Sequence, residues 1–509
     1  MIHGWGTDAI RRAEEPLLAA GVPLMRHAAR AVATTVVREI RARGQRVPGS
    51  VVLVLVGGGN NGGDALWAAA DLARRGVRAL VALCAATVHA EGLAAASAAG
   101  ARVVRIVPGD GGGADLASLV TLARAAGVWI DGLAGIGLRG ALRDPLARVV
   151  ATLEAERAEA PDEPVVIAVD VPSGLGDTGG VPGPVLRADV TVTMGGAKSP
   201  LLLPPACLLA GELEVVDLGL PLSPAEARVA RLGAADVADL YPFPRREDHK
   251  YSRGVVGVWA GSAPYPGAAH LACAGALAVG PGMVRYLGTV ASVRERHPEV
   301  VGAPGRIQAA LVGPGIAGAT AARAAFGEAR EPEVPLVVDA GALGVLAAQD
   351  PPRLCVATPH AGELAGLLGT SRAEVESDPA AAATAWATER GVVVLLKGPV
   401  TVVAAPDGAL FSQGGSTPWL ATAGSGDVLA GVLAGLLAMV EARAEEEARE
   451  LDPREVARTA AAAAWLHSRA ALRAVGLRAP EPGGPGAGGP LQAHRIADRV
   501  PTVIAGLPR

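Results

Sequence analysis

Residues 51–76 read VVLVLVGGGNNGGDALWAAADLARRG, and no other stretch limits the fold so tightly. An unbroken apolar run, Val51 to Val56, enters a glycine-rich turn. A helical stretch, Ala65 to Arg75, follows and stops at Gly76. A continuous apolar run of that length suits a strand buried on both faces of a parallel sheet. Strand, turn and helix in succession open a βαβ unit, which commits the chain to a layered α/β architecture. Gly57, Gly59 and Gly62 satisfy G-x-G-x-x-G. Val81–Val88, however, offers no acidic residue where a dinucleotide fold holds the ribose, so an ordinary dehydrogenase loses weight. No Lys-Ser or Lys-Thr follows the glycines, which excludes a Walker loop.

The pattern recurs along the chain. Residues 1–45 are apolar at helical spacing, which predicts Leu17, Leu18, Val22, Leu24 and Met25 on a core face. Val77–Cys84, Val128–Ile130 and Val165–Val169 read as further strands of a first domain, 1–220. Residues 221–247 read as a connector with one short helix and a Pro-rich, charged end. A second α/β domain, 248–509, follows. Its predicted strands are Val255–Trp259, Ala309–Val312, Leu336–Asp339, Leu354–Ala357, Val392–Leu396 and Thr401–Ala404, and its helices Asp427–Glu441 and Pro453–Ala474. PEPGGPGAGGP, near 480–490, reads as a loop before a last short helix, LQAHRIADRV. With 509 residues, half of them hydrophobic, the chain has material for more than one core. Aromatics are only 3%, so Ala, Val and Leu must build those cores.

Charge and cysteine content narrow the function. A net charge of -4 without a basic stripe argues against a nucleic-acid partner. Cys84, Cys207, Cys273 and Cys355 form no C-x-x-C, which predicts a reduced, cytoplasmic protein without structural zinc. The longest uncharged run, between Arg253 and Arg285, is broken by Pro264, Pro266 and Pro281 and makes a poor membrane span. His3, Trp5 and Asp8 close behind Met1 do not suit a signal peptide. A soluble protein with no membrane partner is expected.

Three strand ends carry chemistry in the first domain. Asn60, Asn61 and Asp64 lie among glycines at a helix start; a capped tight turn explains some of them, but their oxygens also suit a ligand or a hard cation. Asp131 ends a strand and is followed by the turn glycines Gly135, Gly137 and Gly140. Asp170 and Ser173 stand at a third strand end, in VDVPSG. Open α/β sheets bind ligands beyond the carboxyl ends of their strands. In the second domain, Gly424, Ser425 and Gly426 expose backbone amides at a helix start, an anion cradle. Asp427 beside it is either a helix-capping carboxylate or the base of a phosphoryl transfer.

GGGNNGGD, IDGLAGIGL, VDVPSG and RADVTVTMGGAKSPLLL together resemble the epimerase domain of the bifunctional NAD(P)H-hydrate repair enzymes, over about residues 5 to 220. The resemblance implies a Rossmann-like three-layer α/β/α domain that interconverts the epimers of hydrated NADH and NADPH. It implies that Asn61, Asp131 and Ser173 bind a potassium ion. Substrate would be held by Asn60, Asn61, Gly62, Gly63 and Asp64, by Gly135, Ile136, Gly137, Leu138, Arg139, Gly140 and Ala141, and by Asp170, the acid/base residue. Two residues depart from the family: Ala65 replaces a usual Gly, and Ala134 a usual bulky residue.

HKYSRG, LVGPG, LVVDAGAL, ATPHAGEL, LLKGPVT and AGSGD look like the ADP/ATP-dependent NAD(P)H-hydrate dehydratases, over about residues 245–505. These belong to the ribokinase-like superfamily. The resemblance implies Asp427 as base, with His360, Ala268 and Gly315 on the hydrate. Lys397, Gly398, Pro399, Val400, Thr401 and Gly426 would hold the nucleotide, ADP in bacterial members, with Glu363 beside its Mg2+. Gly341 stands where the family's D-A-D-A-L has a second carboxylate. The partners implied are the hydrates and ADP, and such families are often homo-oligomeric. The alternatives are a vitamin or sugar kinase fused to a non-catalytic first domain, and a first domain that only binds a protein. The kinase would accumulate a stable phosphorylated product. A protein-binding surface has no need of Asn61, Asp131, Asp170 and Ser173 together.

Overall fold

The computed structural model describes residues 1–107, 114–137, 140–477 and 488–509. The chain divides into two compact units, His3–Arg228 and Val229–Arg509, the latter taking in Met1–Ile2. Within 221–247, the turn Pro224–Glu226 falls in the first unit, and Val229–Arg231 and Ala234–Leu240 fall in the second. Most of the Gly/Pro stretch near 480–490 lies outside the described residues.

The N-terminal unit is built on a seven-stranded parallel sheet. Its order is Arg102–Arg105, Arg78–Leu83, Val51–Val56, Val128–Gly132, Val165–Val169, Val190–Met194, Glu212–Val216. Val52, Val54 and Val56 face one helical layer, made by Leu24–Ala42 and Asn60–Arg74. Leu53 and Leu55 face the other, made by Leu116–Arg124 and Leu146–Glu159. Burial on both faces is why the strand has no polar alternation. Its chain neighbours diverge: the next strand pairs on one side and Val128–Gly132 on the other. That reversal opens a crevice at the carboxyl ends.

The N-terminal helical region is two helices, Thr7–Ala19 and Leu24–Ala42, broken near Gly21 and Pro23. Leu24 is buried as expected, but Leu18 is 57% exposed at the rim of the cavity described below.

In the C-terminal unit the strand order is Met283–Tyr286, Val255–Trp259, Ala309–Val312, Leu336–Val338, Cys355–Ala357, Val393–Leu396, Thr401–Ala404, Leu410–Gln413, Val229–Arg231. Pairing is parallel as far as Val393–Leu396 and antiparallel on both sides of Thr401–Ala404. The helix Ser425–Glu446 packs on Pro266–Ala278 through glycines; a Cβ on Gly431 would lie 2.1 Å from the Ala272 carbonyl oxygen. By length and composition Ser425–Glu446 could cross a membrane, yet 78% of its apolar window is buried within the molecule. It is therefore a core helix.

Candidate active sites

The first site is a cavity of about 600 Å³ at the carboxyl ends of the N-terminal sheet. Asn60, Asn61, Asp64, Gly135, Ile136, Gly137 and Asp170 line it, with Ala134 in its wall. Gly62 and Gly63 do not line it; they are packing positions. A Cβ on Gly62 would lie 2.1 Å from the Gly57 carbonyl oxygen, and one on Gly63 2.8 Å from Met25 Cε. Gly140 and Ala141 stand outside the cavity wall, and Leu138 and Arg139 lie outside the described residues.

The helix of the glycine turn begins at Asn60, earlier than Ala65, and its cap is Gly59 with no side-chain cap bond. Capping therefore does not account for Asn61 or Asp64. Asn61 Nδ2 donates to the Val169 carbonyl at 2.6 Å. A Cβ on Gly135 would lie 2.4 Å from Asn61 Oδ1, so glycine there makes room for the amide. Ala65 is fully buried, and a Cβ on Gly132 would meet its own Cβ at 2.5 Å. That departure is thus a matter of helix–strand packing, away from the cavity.

Asp131 is fully buried. Its Oδ1 accepts from Ser173 Oγ at 2.6 Å and Leu133 N at 3.2 Å, and its Oδ2 from Ser173 N at 2.8 Å. Burial pushes its pKa up to about 6. Among the described residues no cationic side chain pairs with it. A buried carboxylate without a counter-charge is costly. Asn61, Asp131 and Ser173 offer oxygen donors and one formal charge, chemistry that fits a hard monovalent cation.

Asp170 follows the strand Val165–Val169 with φ 70, a left-handed backbone conformation that non-glycine residues adopt uncommonly. Its N–H is held by the Val192 carbonyl at 2.8 Å. Three donors converge on Oδ1: Lys198 Nζ, Thr193 Oγ1 at 3.2 Å and Met194 N at 3.2 Å. No hydrogen bond among the described residues reaches Oδ2. Lys198 is 1% exposed and also donates to the Met194 carbonyl at 2.7 Å. It holds the Asp170 carboxylate without lining the cavity.

Lys198 and Glu14 escaped the sequence reading. A lone Lys in the otherwise uncharged VTVTMGGAKSPLLL was the available signal for the first. Nothing local marked Glu14, which lines the cavity from helix Thr7–Ala19. That helix is seated by Thr7, whose Oγ1 bonds Asp177 Oδ1 at 2.6 Å and the Ile136 carbonyl at 3.2 Å.

The second site gathers around the start of Ser425–Glu446. Its cap is Gly424 at φ 87, and no side chain caps it, so Asp427 is not spent on capping. Burial, reinforced by Asp339 and opposed by Lys397, raises the Asp427 pKa to about 6. Lys397 Nζ lies 2.8 Å from Asp339 Oδ1 and 3.9 Å from Glu363 Oε2. A Cβ on Gly426 would lie 3.5 Å from that ammonium, which places Lys397 against the amide cradle. Gly398 and Pro399 are exposed in the turn after it; Val400 is buried, and Thr401 opens the next strand.

His360 is not buried. It caps Ala361–Leu368, Nδ1 accepting from Glu363 N at 3.1 Å, while Glu363 Oε2 accepts from His360 N at 2.8 Å. Its side chain is 60% exposed, free to meet a ligand. Ala268 and Gly315 touch: a Cβ on Gly315 would lie 2.5 Å from that of Ala268. Leu271, one turn on, packs on Gly424 and ties this pair to the Asp427 cradle. At Gly341 a Cβ would lie 2.3 Å from the Ile316 carbonyl oxygen, so no carboxylate fits without rearrangement. Among the described residues no group of three His, Cys, Asp or Glu could hold a metal ion alone.

Residues 22–199 match the family described as YjeF-related protein N-terminus, and residues 256–480 that of NAD(P)H-hydrate dehydratase. A bifunctional NAD(P)H-hydrate repair enzyme of Mycobacterium tuberculosis is 42% identical over 452 residues, 85% of this chain and 88% of that one. An NAD(P)H-hydrate epimerase of Clavibacter sepedonicus is 48% identical over 234 residues, 45% of this chain and 96% of that one. A solved ADP/ATP-dependent NAD(P)H-hydrate dehydratase from Bacillus subtilis, co-crystallised with ATP and Mg2+, is 26% identical. The match covers 54% of this chain and 98% of that one, with a TM-score of 0.46.

Proposed function

The chain belongs to the family of bifunctional NAD(P)H-hydrate repair enzymes, and from that premise we propose which of its side chains carry the repair. The protein is an epimerase and a dehydratase in one chain. The N-terminal unit interconverts the R and S hydrates. The C-terminal unit dehydrates the S-hydrate with ADP, releasing AMP and phosphate.

Hydration places a hydroxyl on the ring carbon next to nitrogen, because a dihydropyridine is an enamine. In the N-terminal cavity Asp170 is the acid/base group, oriented by Lys198 through Oδ1 with Oδ2 toward the substrate. Asn60, Asn61 and the turn from Gly135 hold the dinucleotide. Asn61, Asp131 and Ser173 would hold potassium, which would supply the counter-charge that the Asp131 carboxylate lacks.

In the C-terminal site Asp427 takes the hydroxyl proton as that oxygen attacks the terminal phosphorus of ADP. A pKa near neutrality suits such a base. The amides of Gly424–Gly426 and the Lys397 ammonium stabilise charge on the phosphates. The ring C–O bond then breaks and phosphate leaves with its electron pair, the neighbouring carbon gives up a proton, and the ring double bond returns. Mg2+ would enter on the nucleotide phosphates, with Glu363 beside its waters. The soluble substrates suit a cytoplasmic enzyme.

The observation that carries the dehydratase assignment is Asp427, a mostly buried carboxyl with no capping role, beside Lys397 and an open amide cradle. The test supplies both hydrate epimers with ADP, Mg2+ and K+ and follows recovery of reduced-nicotinamide absorbance. Asp427→Asn should lower the rate by about 10²–10⁴-fold, the usual cost of losing a general base, and leave nucleotide affinity nearly unchanged. Turnover near wild type would remove Asp427 from the mechanism.

A further inference from the structure

The N-terminal cavity holds more carboxyl groups than one acid/base residue explains. Asp64 lines it from the first turn of Asn60–Arg74 and is 8% exposed. No hydrogen bond or ion pair among the described residues reaches its carboxyl. A side chain so buried and unpartnered, opening on a ligand cavity, is costly unless it is neutral or meets a ligand.

We propose that Asp64 is the general acid of the epimerisation, facing the same substrate as Asp170. The inference rests on the epimerase reading and deepens it. The epimers differ at the carbon that bears the hydroxyl. As the ring nitrogen lone pair forms a C=N bond, the C–O bond breaks and the Asp64 proton passes to the departing oxygen, which leaves as water. Water then adds to the opposite face of the iminium carbon. The C–O bond re-forms, the electron pair returns to nitrogen, and Asp170 takes the proton. One proton exchange through solvent resets the pair. No oxidant or reductant is consumed, and the two directions use the carboxyls in exchanged roles.

The electrostatic surroundings favour this division of labour. Burial raises the Asp64 pKa well above the usual carboxylate range, and the negative charges of Asp170 and Glu14 push the same way, against Lys198. Asp170 instead has Lys198 in direct contact. Arg11 also lines the cavity, from helix Thr7–Ala19, and His89, at the cap of Ala90–Ala98, packs against Gly63 beside Asp64. A carboxyl that burial keeps protonated has a proton to give, which is what the acid's place requires.

Glu14 is the competing candidate, since it lines the same cavity and burial raises it too. It is less buried, and Arg11 and Lys198 both oppose the shift.

The test measures R-to-S conversion against pH for wild type, Asp64→Asn and Glu14→Gln. Dehydration of pure S-hydrate by each variant serves as the folding control. An acid that must be protonated gives a rate that falls as pH rises through its pKa. Asp64→Asn should lose about 10²–10⁴-fold in kcat and show no alkaline limb. Infrared difference spectra should show a protonated-carboxyl band that fades along the wild-type alkaline limb and is missing in Asp64→Asn. An alkaline limb retained in Asp64→Asn, or a band and limb lost in Glu14→Gln instead, would overturn the assignment. Wild type that dehydrates but never epimerises would overturn the epimerase reading beneath it, and the assignment with it.

Discussion

Lys198 carries a charge into the interior of the N-terminal unit and spends it on Asp170. Removing one partner of a buried pair typically costs about 3–5 kcal/mol, because the other is left uncompensated. Lys198→Met should therefore weaken the N-terminal unit by about that amount, read from its urea transition. It should also reduce epimerisation while dehydration of the S-hydrate persists. An unchanged transition and an unchanged epimerisation rate would show that Lys198 does not position Asp170. Single residues were legible where chemistry is written locally. Asp131, Asp170 and Asp427 each follow an apolar strand or enter a glycine turn, and the structure puts all three at strand or helix ends in their units. Glu14 was not legible. It reaches the cavity from a helix far away in sequence, seated by Thr7 on Asp177, and no spacing encodes that contact.

At the scale of elements, the helix Ser425–Glu446 is pinned by its neighbour Pro453–Ala474. His467 Nε2 lies 3.0 Å from the Ser425 carbonyl oxygen, and burial lowers its pKa to about 4. In the unfolded chain the same group titrates near 6.5. Between those values the unfolded state binds the proton and the folded state refuses it. Stability is therefore full above about pH 6.5 and falls by about 3 kcal/mol as pH drops to about 4. Calorimetry of wild type against His467→Gln should show that slope in the first and lose most of it in the second. An identical slope in both would put the titration elsewhere. The strands were legible as apolar runs because both faces are buried, and most observed bounds lie within a residue or two of the expected ones. Met283–Tyr286 was not, because glycine and proline precede it and its four residues include Arg285. Arg102–Arg105, Val190–Met194, Glu212–Val216, Val229–Arg231 and Leu410–Gln413 were not read as strands either, since charged or polar residues interrupt each apolar run. The Asn60 helix start was hidden for a related reason: glycines that read as turn are in fact helix, held close to Gly57 by the absence of side chains.

At the scale of the whole molecule, each unit has its own core and its own site. Asp170→Ala should therefore stop epimerisation and leave S-hydrate dehydration close to normal. With mixed epimers and excess ADP, the variant's progress curve should stall once the S-hydrate is consumed, apart from slow spontaneous epimerisation. Wild type should run to completion. Matching end points and rates would deny Asp170 its role. The division into two domains was legible from two separate strand–helix series, each ending in its own glycine-rich site. Carrying both units on one polypeptide also fixes their copy number. Expressing more of this chain raises the isomerising step only together with the dehydrating one, since every added copy brings both units. The ratio of the two fluxes is then set by turnover, by the mixture of hydrates supplied and by the nucleotide at hand.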